Sequence, residues 1–275
     1  MRKYDAELAQ GMHVVHDGPP QAPPLLLIHG SGASGDTWAP MVPELAAHRR
    51  VIRVDLPGCG HSPPAPSYEV PDQAARLASL LDELGLREVA VAGHSSGGYA
   101  ATALAEQRPD LVGSLTLIST GPGLDALLPE PAVLRLLLGP PFGPLLWSIR
   151  TDSMIRRGIG STTALPAEIP DDLVAGVRRI SYRAFRKVAR GNIAYLAERS
   201  VPERLAALRV PVLVIFGAAD PRWDPASAHD YESPYTRIEM LPEVGHIPLI
   251  EAPGATVRLL LAPTLVPSPA VGTET

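Results

Sequence analysis

The chain has 275 residues, of which 45% are hydrophobic and 19% charged, with a formal net charge of −5 and an isoelectric point near 5.9. This composition excludes a largely disordered chain and argues against nucleic acid as the main partner. The first residues carry no apolar block of signal-peptide length, and no run approaches the roughly 18 apolar residues of a membrane span. We therefore expect a cytoplasmic protein without a membrane span.

Short apolar runs bounded by Gly, Pro and Asp predict buried strands. They cover 25–28, 51–54, 89–92, 115–118 and 212–216, and a further strand-like segment covers 237–241. Helical patterns lie between several of them, notably at 73–84 and 99–107. Because strands alternate with helices, we predict an α/β fold, with a mostly parallel central sheet covered by helices on both faces. Catalytic groups are then expected at the carboxyl ends of the strands.

The first glycine-rich loop, HGSGASG at 29–35, follows the strand at 25–28. Its glycines fit the dinucleotide fingerprint G-x-G-x-x-G, and Asp55 ends the next strand about twenty residues later. That fingerprint requires a helix that begins within the glycines, whereas Pro40 and Pro43 lie where the interior of that helix would be. We therefore favour a separate loop, and a dehydrogenase is the less favoured alternative.

Cys59 is the only cysteine, so the sequence allows no intrachain disulfide and no cysteine-based metal site. It lies between Gly58 and Gly60, and we interpret it as a small loop residue rather than a nucleophile. No His-Glu-x-x-His or comparable spacing occurs, and no metal site is predicted.

The most informative segment is GHSSG at 93–97, which follows one apolar run and leads into the helical pattern at 99–107. The central serine, Ser95, lies on a tight turn between strand and helix. A β-carbon on Gly93 or Gly97 would collide with the neighbouring backbone, which explains glycine at both positions. We therefore predict that Ser95 is an exposed nucleophile.

About ninety residues separate the strand at 115–118 from the strand at 212–216, far more than an ordinary connection. We predict an inserted, mainly helical lid at 121–205. The core is then formed by 1–120 and 206–262, and 263–275 is a flexible tail. The first half of the lid is very apolar. Its apolar residues are Leu124, Leu127, Leu128, Leu134, Leu136, Leu137, Leu138, Phe142, Leu145, Leu146 and Trp147.

The second half of the lid carries one predicted helix, from Asp171 to Arg190, with acidic residues at its start. Six basic side chains follow along it. They are Arg178, Arg179, Arg183, Arg186, Lys187 and Arg190. We interpret them as a solvated face opposite the apolar residues of the same helix, in preference to a site for an anionic substrate.

A serine hydroxyl is a poor nucleophile until a base takes its proton. His246 is the best candidate because it lies in a loop after the strand-like segment at 237–241. The histidine needs a buried carboxylate to orient it, and Asp220 lies just beyond the strand at 212–216. Asp224 is an alternative, disfavoured because it lies farther from the strand end. The order Ser95, Asp220, His246 is that of one known triad architecture.

Acyl transfer also needs donors for the developing oxyanion, and we predict the backbone N–H groups of Ser31 and Ser96. His94 is adjacent to Ser95 on the turn and is expected to point away from it, and His29 is expected to be buried and hydrogen-bonded. Five further positions are predicted to bind substrate, with Trp38 at the entrance and two aromatic residues from the lid. These positions are Gly30, Trp38, His94, Phe142 and Trp147.

Five motifs in order carry a resemblance to the α/β-hydrolase superfamily over nearly the whole chain. They are LIHG at 27–30, DLPGCGHS at 55–62, GHSSGG at 93–98, FGAAD at 216–220 and GH at 245–246. The resemblance implies a lidded parallel-sheet enzyme that needs no cofactor, with Ser95 as nucleophile, Asp220 as acid and His246 as base. With serine at the turn, the chain is unlike the epoxide hydrolases and haloalkane dehalogenases of that superfamily, which use aspartate.

We expect a serine hydrolase that cleaves a carboxylic ester or lactone of a hydrophobic small molecule through an acyl-enzyme. The Ser-Gly-Ala-Ser loop is also similar to that of hydrolases that cleave carbon–carbon bonds. Perhydrolases, natural-product cyclases and low-turnover ligand receptors of the same fold are further alternatives. Esters, lactones and thioesters all fit the same catalytic machinery.

Overall fold

The computed structural model describes residues 5–129 and 139–263. Its strands are β1 (Asp5–Ala9), β2 (Met12–Asp17), β3 (Pro24–Ile28), β4 (Arg50–Asp55), β5 (Val89–His94), β6 (Val112–Ile118), β7 (Val212–Gly217) and β8 (Thr236–Leu241). In the described ranges they form one sheet in the order β1-β2-β4-β3-β5-β6-β7-β8. The pairs β1–β2 and β2–β4 are antiparallel and the other pairs are parallel, which confirms the predicted fold class.

Helices pack on both faces of this sheet. The core helices are α1 (Val42–His48), α2 (Val70–Glu83) and α3 (Gly97–Gln107), and two more close the chain, α9 (Pro248–Glu251) and α10 (Pro253–Leu261). Helix α2 shows why the sequence folds this way: Val70, Ala74, Leu77 and Leu81 recur at helical spacing and are all buried, and a proline stands in its first turn.

Strand β3 separates two hydrophobic cores because its side chains alternate between the faces of the sheet. Leu26 and Ile28 belong to the core beneath α2 and α3. Leu25 and Leu27 belong to the core on the opposite face, together with residues of α1 and α10. Burial on both faces explains why these strands are continuous apolar runs rather than alternating patterns.

The glycine-rich loop does not lead into a helix at its glycines. A 3₁₀ turn occupies Gly35–Trp38, and α1 begins at Val42 with Pro43 in its first turn. A pyrophosphate would therefore find no helix N-terminus within these glycines, which removes the structural basis for the dinucleotide fingerprint. The described residues also contain no helix that is long and apolar enough to cross a membrane.

After a short 3₁₀ turn at Leu124–Ala126, the described part of the segment between β6 and β7 consists of helices joined by loops. Its helices are α4 (Gly143–Ser148), α5 (Asp152–Gly160), α6 (Asp171–Arg179), α7 (Tyr182–Glu198) and α8 (Val201–Leu205). We call 121–205 the insertion. Four of its predicted apolar residues lie outside the described residues, as do 264–275 of the predicted tail. The four are Leu134, Leu136, Leu137 and Leu138.

The prediction of one helix from Asp171 to Arg190 is wrong, because helical structure is interrupted at 180–181, between α6 and α7. Ser181 caps α7 by accepting a hydrogen bond from the backbone N–H of Ala184 at 3.1 Å. The carbonyl oxygen of Ile180 accepts hydrogen bonds from Trp147 Nε1 at 2.7 Å and from Arg150 at 2.9 Å. A serine N-cap and two donors from another part of the insertion therefore replace continued helical bonding.

Basic residues of α6 and α7 lie on the solvent-facing side of these helices, as the sequence predicts. Arg178, Arg183 and Arg186 are exposed, whereas Leu173 and Val188 on the opposite side are buried. Arg178 pairs with Asp152 of α5. The interpretation as a solvated face is confirmed.

Candidate active site

Ser95 stands on a tight turn between β5 and α3, with φ of +52° in the left-handed region that disfavours residues other than glycine. A β-carbon on Gly93 would lie 2.4 Å from the carbonyl carbon of Gly97, and one on Gly97 would lie 2.4 Å from the carbonyl oxygen of Ile28. These distances confirm the predicted collisions. The strained turn holds the serine above the end of the strand rather than in the sheet.

The hydroxyl of Ser95 lies 3.0 Å from Nε2 of His246, and Nδ1 of His246 lies 2.8 Å from Oδ2 of Asp220. Both partner side chains are buried, with His246 5% and Asp220 3% exposed. The carboxylate can only accept, so Nδ1 carries the proton and Nε2 is left to accept from the serine. The three predicted side chains thus form one hydrogen-bonded chain.

Asp220 is held in a turn directly after β7. Its second oxygen, Oδ1, accepts from the backbone N–H groups of Arg222 at 2.8 Å and Trp223 at 3.3 Å. Asp224 instead accepts from the N–H of Ala226 and caps the 3₁₀ turn at Pro225–Tyr231. The geometry therefore places Asp220, and not Asp224, beside His246.

The backbone N–H groups of Ser31 and Ser96 donate no hydrogen bond within the described part of the chain. Their side chains are joined, because Ser31 Oγ donates to Ser96 Oγ at 2.8 Å. Gly30 lies directly against the turn: a β-carbon there would be 3.1 Å from Cβ of Ser95. The glycine loop and the serine turn therefore meet at one place, where two unused donors are available.

The two neighbouring buried histidines are neutral. Burial lowers the pKa of His94 to about 3, and His246 contributes to the same shift. Burial also lowers the pKa of His29, whose Nδ1 donates to the carbonyl of Gly30 and whose Nε2 accepts from the N–H of Leu56. His29 is thus buried and hydrogen-bonded as predicted. Nε2 of His94 donates to the carbonyl oxygen of His246 at 2.9 Å, so this ring supports the backbone of that residue.

The family model described as the alpha/beta hydrolase family matches residues 25–259. The chain belongs to this family. Pimeloyl-[acyl-carrier protein] methyl ester esterase of Aeromonas hydrophila is 29% identical over 248 residues, which span 87% of this chain and 94% of that protein. The crystal structure of an N-acyl homoserine lactonase matches with a TM-score of 0.79 and 23% identity, covering 94% of each chain. An epoxide hydrolase matches with a TM-score of 0.74 and 24% identity, covering 94% of this chain and 97% of that one.

These matches identify the protein as a hydrolase of this family. Cys59 is not one of its reactive groups, since the side chain is 3% exposed and burial raises the pKa of its thiol to about 12. Among the described residues, no three His, Cys, Asp or Glu side chains lie together as metal ligands.

Trp38 does not line an entrance to the hydrolase site. Its side chain is fully buried in the core shared with Met41 and Leu45. The sequence places it close after the glycine loop, but the 3₁₀ turn at Gly35–Trp38 directs the indole into the core. The prediction of a role in substrate binding for Trp38 is therefore not supported by its position.

The aromatic residues of the insertion lie at different depths. Phe142 is 52% exposed, whereas Trp147 is half-buried and stacks on Phe185 of α7 with ring centroids 4.6 Å apart. A β-carbon on Gly32 would lie 3.9 Å from the ring of Phe185. Trp147 is thus one aromatic ring away from the glycine loop.

Two residues that reach the glycine loop were not predicted from the sequence. Phe185 is one, and Asn192 is the other, because its Nδ2 donates to Ser31 Oγ at 2.9 Å. They are seven residues apart on α7, so they share one face of the helix. That spacing is visible in the sequence, but only the contacts with Gly32 and Ser31 show that this face of α7 meets the loop.

Proposed function

We propose that the protein is a serine hydrolase that cleaves a carboxylic ester or lactone of a hydrophobic small molecule. The observation that carries the proposal is the chain of hydrogen bonds from Ser95 through His246 to Asp220, at 3.0 Å and 2.8 Å. A buried aspartate that orients a histidine toward a serine is the arrangement that activates serine as a nucleophile.

In the proposed reaction Ser95 Oγ attacks the carbonyl carbon of the substrate while its proton passes to Nε2 of His246. The negative charge on the carbonyl oxygen is stabilised by the N–H groups of Ser31 and Ser96, each worth about 10² to 10³ in rate. His246 then gives the proton to the departing oxygen, and the acyl group stays on Ser95. In a lactone, the departing oxygen remains attached to that acyl group.

Water completes the cycle. It attacks the acyl carbon while giving one proton to His246, which returns it to Ser95 Oγ as the free acid leaves. Asp220 stays ionised and stabilises the imidazolium in both halves of the reaction.

We further propose that the insertion acts as a lid that selects the substrate. It brings Trp147, Phe185 and Asn192 toward the glycine loop, which provides apolar rings and one polar donor near the serine. An apolar group bound beside the scissile carbonyl fits this lining. The named activities of the esterase and lactonase relatives agree with an ester or lactone bond.

A fluorophosphonate, which reacts with activated serines, tests the nucleophile before the substrate is known. Intact mass should show one adduct on the protein and none on Ser95→Ala, and hydrolysis of a panel of esters, lactones and thioesters should fall by about 10⁶-fold in that variant. An adduct that persists in Ser95→Ala would remove this serine from the mechanism. No adduct on either protein would favour a ligand receptor or a cyclase.

A further inference from the structure

Glu251 ends α9 and turns its carboxylate back onto the loop that carries His246. Oε2 accepts from the backbone N–H of Gly245 at 2.8 Å, and Oε1 accepts from that of Ile247 at 2.9 Å. These are the two amides that flank His246. One carboxylate therefore binds the loop on both sides of the histidine. Hydrogen bonds to a carboxylate are stronger than those between neutral groups.

The same carboxylate also reaches the insertion. Oε2 of Glu251 accepts from the N–H of Ala164 at 2.8 Å, in the segment between α5 and α6. Close packing accompanies the bond, because a β-carbon on Gly245 would lie 2.6 Å from that same nitrogen. Residues 162–164 thus lie directly against the histidine loop.

The backbone of His246 is held by two further contacts. Its N–H donates to the carbonyl oxygen of Thr162 at 2.8 Å, and its carbonyl oxygen accepts from His94 at 2.9 Å. Three successive amides, 245 to 247, are therefore bonded either to Glu251 or to the insertion. A side chain whose reach to Ser95 depends on its backbone position would lose that reach if this support loosened.

We propose that Glu251 is a positioning residue that fixes the backbone of His246 and joins it to residues 162–164 of the insertion. The inference rests on the proposed role of His246 as the base. Its consequence is that the insertion is coupled to the proton-transfer step through a contact that touches no substrate.

Glu251→Gln tests this, because the amide keeps the volume but presents an N–H₂ group to at least one backbone donor. The rate constant for inactivation by a fluorophosphonate should fall about tenfold or more, whereas the affinity of the reversible complex should stay within about twofold. Glu251→Asp keeps the charge but is one methylene shorter. Its inactivation rate constant should lie between those of the wild type and Glu251→Gln.

Glu203→Gln is the matched control, since Glu203 accepts a backbone N–H at the same 2.8 Å from Ser200 at the start of α8. It should lose some thermal stability and keep the wild-type inactivation rate. A Glu251→Gln protein that is destabilised like the control but inactivated at the wild-type rate would overturn the positioning role.

Amide hydrogen exchange gives a second measurement that does not depend on the chemistry of Ser95. In Glu251→Gln, or in Glu251→Asp if the first does not fold, exchange should speed up together in peptides covering 244–250 and 160–166. Faster exchange in the first peptide alone would overturn the coupling to the insertion. Absence of labelling in the wild type would count against the proposed function, and the exchange result would still decide the coupling.

Discussion

The loops at the carboxyl edge of the sheet and the helices of the insertion hold their side chains in different ways. In the loops, Ser95 and Asp220 are fixed by backbone contacts and by neighbouring glycine positions that have no room for a β-carbon. In the insertion, several large apolar side chains face solvent, among them Phe142, Leu145 and Ile149. Its described polar links to the site are a few single bonds, such as that from Asn192 to Ser31.

This contrast separates two tasks. A reacting group must be held closely, because a displacement of about 1 Å costs about 10²-fold in rate. A surface that selects and admits substrate needs contacts that are weak enough to break. The close-packed edge of the core suits the chemistry we propose, and the exposed apolar side chains of the insertion suit the proposed lid.

The largest effect after loss of the nucleophile is expected at Asp220. Asp220→Asn keeps the size of the side chain but favours the wrong tautomer of His246, and kcat should fall by about 10⁴-fold. Asp224→Asn makes the same chemical change four residues away, at a carboxylate that caps a 3₁₀ turn, and should leave kcat within about twofold. Initial rates on an ester that the wild type hydrolyses decide the matter. Equal losses in the two variants would contradict the assignment.

A second test measures how tightly the serine turn is packed. Gly97→Ala places a β-carbon 2.4 Å from the backbone of Ile28, which cannot move without shifting β3. We expect a loss of about 3 kcal/mol in the free energy of unfolding, measured by denaturant titration.

The matched control for that test lies in the insertion. A β-carbon on Gly158 of α5 meets nothing within 4 Å, so Gly158→Ala should raise the stability by up to about 1 kcal/mol. If Gly97→Ala unfolded at the same denaturant concentration as the wild type, the turn would not be close-packed.

The same contrast explains what the sequence could predict. Ser95, Asp220 and His246 each follow a strand closely, so chain order and strand ends were enough to bring them together. The sheet followed from continuous apolar runs, and the collisions at Gly93 and Gly97 followed from the geometry of a tight turn.

Predictions failed where position depends on a distant part of the chain. The break before α7 depends on Trp147 of α4 and on Arg150 in the loop after it, which both bond to the carbonyl oxygen of Ile180. The burial of Trp38 depends on the direction of a 3₁₀ turn. The contacts of Glu251 could not be predicted, because its partners are backbone N–H groups, which any residue type provides.

The smallest effect concerns the link between the two regions. Asn192→Ala removes one hydrogen bond to Ser31, worth about 1 kcal/mol, so kcat/KM should fall by about fivefold with unfolding nearly unchanged. Ile193→Ala, at the exposed neighbouring position on the same helix, is the control and should leave kcat/KM unaltered.

A double-mutant cycle then asks whether Asn192 acts through Ser31. If its amide only orients the Ser31 hydroxyl, the double variant with Ser31→Ala should be no slower than Ser31→Ala alone, because the bond is already lost. If the effects add in full, Asn192 contacts the substrate directly. In that case the insertion would contribute a specificity residue of its own instead of support for the glycine loop.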